Sequence, residues 1–130
     1  MNTPLFLLNL GITVALVLLS LWTGHAGRRK PHYIAVAFTV VSLVLAIWQA
    51  ELYGRGYDFI AWKLNVHLAF ATTCLASVAF VAWTGIALIK NPMARPRHKL
   101  CVRVFLGLLV GAVGTAVYMF LDATEKVVMA

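Results

Sequence analysis

The residues of this chain best suited to chemistry are its four histidines, His25, His32, His67 and His98. Neutral imidazole is the commonest protein ligand of haem iron, copper and zinc. His32 opens an apolar run in "RKPHYIAVAF", His98 opens another in "RPRHKL", and His25 closes a third. His67 lies a few residues inside the run that begins "AWKLNVHLAF". An ionisable ring inside such a run is costly unless it faces protein, so it is a candidate for function by default. Low-spin haem b takes two axial nitrogens, and in helical bundles facing helices supply them. His32 and His98 form the candidate pair, with His25 as a possible third member and copper as the alternative metal. Arg28, Arg29 and Arg97 surround this pair together with Lys99. Their side chains suit haem propionates by charge-assisted hydrogen bonds. His67 belongs elsewhere. A helix from His32 to Glu51 rises roughly 29 Å, and His67 lies toward the Glu51 end. Gln49, Glu51, Tyr118 or Met119 could join His67 at that depth. The plainer readings are an interfacial role for His25, a place in the basic flank for His98, and packing for His32.

Something must position these rings, and the composition says what kind of element does so. Of the 130 residues, 62% are hydrophobic and 12% are charged, with a mean hydropathy of +0.90. A water-soluble domain of this size could not build a polar skin from that. The chain reads as one integral membrane domain spanning residues 1–130. Four apolar runs predict transmembrane helices at about 4–24, 32–53, 61–89 and 99–121. Each reaches the ~20 residues needed to cross the hydrocarbon core. The first run has no basic residue before it and no small-x-small site after it. It therefore reads as a retained helix rather than a signal peptide. Cys74 and Cys101 both sit in apolar runs and read as buried free thiols.

The connections are short, so consecutive helices should be antiparallel neighbours. The expected fold is all-α, an up-down four-helix membrane bundle. Arg28, Arg29, Lys30, Lys90, Arg95, Arg97, Lys99 and Arg103 cluster at loops one and three, while the four acids flank loop two and the tail. The positive-inside rule then makes loops one and three cytoplasmic and both termini external, in a bacterial inner membrane. The net charge of +7 is thus a topology signal. Anionic lipid is its natural contact, and nucleic acid is not expected.

Rows of small and polar residues predict the packed faces. They are His32, Ala35, Thr39, Ser42, Ala46, Gln49 and Tyr53 on helix two, and His67, Ala71, Cys74, Ser77, Val81 and Gly85 on helix three. On helix four the expected row is Gly107, Gly111, Gly114 or Thr115, and Tyr118, with Gly107-x-x-x-Gly111 as a close-approach pattern.

The segments "HYIAVAF", "NVHLAFA", "RHKLCVR" and "VGTAVYMFL" carry a resemblance. Over about Lys30 to Leu121 the chain resembles a family of small four-helix bacterial membrane proteins. That family was long catalogued as a domain of unknown function and includes an assembly factor for haem–copper cytochrome c oxidase. The layout is also similar to that of b-type membrane cytochromes. In the family, histidines recur at the start of helix two, near its end, early in helix three and at the start of helix four. His32, His67 and His98 match three of these. The end of helix two reads "WQAELYG", with no histidine, so the ligand opposite His67 is left open.

Three expectations follow. The first is a membrane haem b protein carrying electrons within a respiratory or quinone-linked complex. The second, implied by the resemblance, is an assembly factor contacting oxidase subunits. The third is a structural accessory subunit without cofactor. No nucleophile–base pair, phosphate loop or paired carboxylate is evident, which argues against a hydrolase or transferase.

Overall fold

Apolar runs whose backbone groups can pair only within their own segment fold as helices. A computed structural model describes residues 3–127 of the chain. Its helices are α1 (Thr3–His25), α2 (Arg29–Gly54), α3 (Ala61–Lys90) and α4 (Arg95–Phe120). All four are long and apolar enough to cross a membrane. A short 3₁₀ turn, Pro92–Ala94, precedes α4, and two-residue strands, Tyr57–Asp58 and Thr124–Glu125, form a small ladder.

Helices α2 and α4 begin three and four residues before the expected 32 and 99. Each carries a proline in its first turn, Pro31 and Pro96. A proline there breaks no intrahelical bond, because first-turn N–H groups have no partner in the helix. It marks the start of a helix just as well as a stop before one.

Contacts divide the chain into two units, Met1–Tyr57 and Asp58–Ala130. Each is an antiparallel helical hairpin. In the first, α1 buries Thr13, Val17, Ser20 and Thr23 against Ala35, Thr39, Ser42 and Ala46 of α2. These α2 residues belong to the row expected from the sequence. The seam is small and polar, and it is bonded along its length. Asn9 Nδ2 donates to Gln49 Oε1 at 3.0 Å. The Thr13 and Ser42 hydroxyls lie 2.6 Å apart, and those of Ser20 and Thr39 lie 3.0 Å apart. Large apolar side chains such as Leu18, Phe38, Val41 and Trp48 point outward. Polar groups inward and apolar groups outward suit a hydrocarbon surrounding, where helices associate through small residues and interhelical hydrogen bonds.

The first hairpin turns at Gly27, whose φ is +70°. Arg28 N–H bonds to Thr23 O at 3.0 Å and Gly27 N–H to Gly24 O at 3.3 Å. That pair of bonds is the Schellman ending of a helix, which places its glycine in the left-handed region. Gly27→Ala is expected to lower stability by about 1–2 kcal/mol, read as an earlier midpoint when SDS is titrated into mixed micelles. Gly11→Ala, whose added Cβ meets nothing within 4 Å, should leave the midpoint no lower.

In the second hairpin the α3 row holds, with Cys74 buried and His67, Ala71, Ser77, Val81 and Gly85 partly buried. The α4 row needs correction. Gly107 and Gly114 are exposed, and a Cβ on either would meet nothing within 4 Å. Only Gly111 makes a close approach, beneath the Phe70 ring. The packed face of α4 runs instead through Phe105, Leu108, Ala112, Thr115 and Met119. These lie about one position round the helix from the glycines.

Candidate ligand-binding histidines

Tight turns bring the first residues of α2 and α4 back onto the ends of α1 and α3. In the first hairpin the His32 ring lies against Gly24, where an added Cβ would stand 3.0 Å from its Cε1. His32 Nδ1 is 2.9 Å from Ser20 O and 3.5 Å from Thr23 Oγ1. A carbonyl can only accept, so in the neutral ring the proton sits on Nδ1 and the lone pair on Nε2.

The second hairpin repeats the arrangement. The His98 ring lies against Gly85, with an added Cβ 3.3 Å from its Cε1. Its Nδ1 is 3.0 Å from Thr84 Oγ1. The Thr84 hydroxyl already donates to Phe80 O at 2.9 Å, so it accepts from Nδ1–H. In that tautomer Nε2 carries the lone pair.

Both seats use the same words. Trp22-Thr23-Gly24 ends α1 and Trp83-Thr84-Gly85 lies near the end of α3. Histidine follows eight residues after the first glycine and thirteen after the second. The longer connection holds the 3₁₀ turn. The chain therefore contains two hairpins that each present one histidine from the same Thr-Gly seat. This repeat escapes a reading by fixed period because the two spacings differ by five residues. The recurring triplet is the signal that could have found it.

His67 is held in a third, different way. Its Nδ1 lies 3.1 Å from Ala112 O and 3.2 Å from Thr115 Oγ1, so its Nδ1 also donates. From His67 to Thr84 helix α3 rises about 26 Å, and no single small ligand joins His67 to His98. The residues considered beside His67 have other engagements. Gln49 accepts from Asn9. Glu51 pairs with Arg55 at 2.7 Å. Met119 is buried. The Tyr118 ring lies 3.9 Å from Lys63 Nζ.

Lys63 is a further polar residue at this end of the second hairpin. It is 7% exposed and pairs with Asp122. Trp62 and Tyr118 supply ring faces to its ammonium. A lysine in the first turn of an apolar run, next to an aromatic residue and with an acid at the end of the following helix, is the pattern that could have suggested the pair.

His25 is exposed in the last turn of α1. Arg28 stacks over Trp22 at 5.3 Å. Arg29 is exposed, and Arg97 lines a groove with Trp83. Among the described residues, no group of three or more His, Cys, Asp and Glu could hold a metal ion. Haem needs no such group, because the porphyrin supplies four of its iron's six ligands and the protein adds at most two. No protein-family model, curated protein or solved structure matches the chain.

Proposed function

We propose that this chain is a multi-pass protein of a bacterial inner membrane that binds haem b and passes electrons within a respiratory or quinone-linked complex. His32 and His98 are the residues that would hold the haem iron. The observation that carries this reading is the repeated seat. Each ring is fixed against a glycine, and each Nδ1–H is tied to an acceptor of its own hairpin. Metal-bound histidines are held this way, because the tied Nδ1–H sets the tautomer and aims Nε2. Each histidine is therefore suited to ligate haem iron. Bound haem would supply a one-electron couple, and the chain's own share is to hold both imidazoles rigidly through oxidation and reduction. Arg28 and Arg29, beside His32 in sequence, offer cations to propionates. The basic flanks at the first and third connections support a cytoplasmic side for each seat.

A reduced-minus-oxidised spectrum of the purified protein tests the reading. Sharp b-type bands are expected. A protein that purifies colourless, and stays so after incubation with haem, would sink it. The same colourless protein with impaired oxidase activity in a deletion strain would favour the assembly role implied by the resemblance of "HYIAVAF", "NVHLAFA" and "RHKLCVR".

A further inference from the structure

The second hairpin carries a groove at its basic end. Phe80, Trp83, Thr84 and Ala87 of α3 line it together with Ala94 and Arg97, and it encloses about 280 Å³. Its walls are aromatic and open to the surroundings, with Trp83 71% and Phe80 58% exposed. Its one formal charge is the Arg97 guanidinium. Arg97 makes no ion pair among the described residues. The stretch from Lys90 to Arg103 holds five basic residues and no acid.

The first hairpin serves as an internal reference. Trp22 stands where Trp83 stands in the repeat, and there the chain covers its own ring with Arg28 at 5.3 Å. That cation stacks on its own tryptophan. In the second hairpin the corresponding end is built as an open apolar groove with an arginine in its wall. Such a site fits a molecule with an anionic head and an apolar body. On a helix pair long and apolar enough to cross a membrane, at the end rich in arginine and lysine, the molecule at hand is a phospholipid. Basic pockets between membrane helices bind anionic head groups in this way.

We propose that this groove binds one anionic phospholipid. Arg97 holds its phosphate, and an acyl chain lies along Trp83 and Phe80. The proposal rests on the membrane location given above, and its groove adjoins the His98 seat through Thr84. The recognised class is a phosphate diester of net negative charge, and the site discriminates against zwitterionic lipid, whose cationic head group would meet the surrounding arginines and lysines.

Brominated lipids provide the test, because bromine quenches an adjacent tryptophan. A variant keeping Trp83 alone (Trp22→Phe, Trp48→Phe, Trp62→Phe) is titrated with brominated phosphatidylglycerol and, separately, brominated phosphatidylcholine. The readout is the ratio of the two lipid concentrations giving half-maximal quenching, in which any constant quencher cancels. The anionic lipid should act at a concentration about fivefold lower. That preference should vanish in Arg97→Gln and persist in Arg97→Lys. A twin variant keeping Trp22 alone should show a clearly smaller preference, and an equal one would count against the groove. Equal quenching of Trp83 by both lipids, or a preference unchanged in Arg97→Gln, would overturn the proposal and leave the membrane location standing. Quenching by neither lipid would overturn both. Native mass spectrometry of the unaltered chain, offered an equimolar mixture, checks the result without tryptophan substitutions. It should retain phosphatidylglycerol in excess, and an Arg97→Gln chain that retains it equally well would count against the site.

Discussion

His32→Ala and His98→Ala should each abolish the b-type bands of the purified protein, whereas His67→Ala should leave them in place. The reason lies in the count of ligands. Two imidazole nitrogens hold a low-spin haem, and His32 and His98 are the pair proposed to supply them. Removing either halves the set. His67, about 26 Å along α3 from the His98 seat, cannot substitute. Added imidazole should restore the spectrum of either alanine variant by occupying the vacated position. A merely structural histidine would not give that rescue. The supporting hydrogen bonds predict an asymmetry between the hairpins. His98 is oriented by a side chain, Thr84, which substitution can delete. His32 is oriented by a backbone carbonyl, Ser20 O, at 2.9 Å, with Thr23 Oγ1 farther at 3.5 Å. Thr84→Val should therefore weaken haem retention by roughly 10–100-fold, and Thr23→Val by much less. Equal losses in the two threonine variants would count against the assigned seats, and His98→Ala with an unchanged spectrum would remove His98 from the site.

The sequence revealed the α1–α2 hairpin better than the α3–α4 hairpin, for a physical reason. The α2 seam consists of small polar residues at spacings of three and four, against a background of Leu, Val and Ile. Few residue types other than Ala, Ser and Thr serve such a seam, so Ala35, Thr39, Ser42 and Ala46 stand out. Its partner row on α1 reads less plainly, because Val17 shares it with Thr13, Ser20 and Thr23. In α4 the conspicuous small residues are glycines, and glycine has two meanings in an apolar helix. It can admit a neighbour, as Gly111 does, or simply face outward, as Gly107 and Gly114 do. Sequence spacing cannot separate these, because the decision belongs to the opposing helix. The histidines were legible as candidates because charge-capable groups are rare in such runs. Their seats were not legible, since a tautomer is set by which acceptor lies opposite Nδ1. That depends on where Ser20 and Thr84 fall after the turn. Lys63 was obscured by its position near a helix end, where lysines commonly reach out to water. Here it turns inward, and Asp122 and the Tyr118 ring meet it.

The two exposed glycines and the covered one permit a sharp test of the α4 register. An added Cβ at Gly111 would lie 2.5 Å from Phe70 Cδ1 and Cε1, well inside van der Waals contact. The Phe70 ring must then swing outward or the helices must separate. Overpacking of that kind costs about 1–3 kcal/mol, so Gly111→Ala should unfold at lower SDS in mixed micelles. At Gly107 an added Cβ meets nothing within 4 Å. There alanine should leave stability unchanged or raise it by up to about 1 kcal/mol, the difference in helix preference between the two residues. The clash also predicts a coupling. Phe70→Ala alone removes ring contacts with α4 and should destabilise. Combined with Gly111→Ala it also removes the obstruction, so the double variant should lose less than the sum of the two single losses. Residues in direct contact show such non-additivity, at about 0.5–3 kcal/mol. Additive losses would mean that Phe70 does not cover Gly111. A loss at Gly107→Ala as large as at Gly111→Ala would restore the Gly107-x-x-x-Gly111 face as the packed one, and with it the register expected from glycine spacing alone.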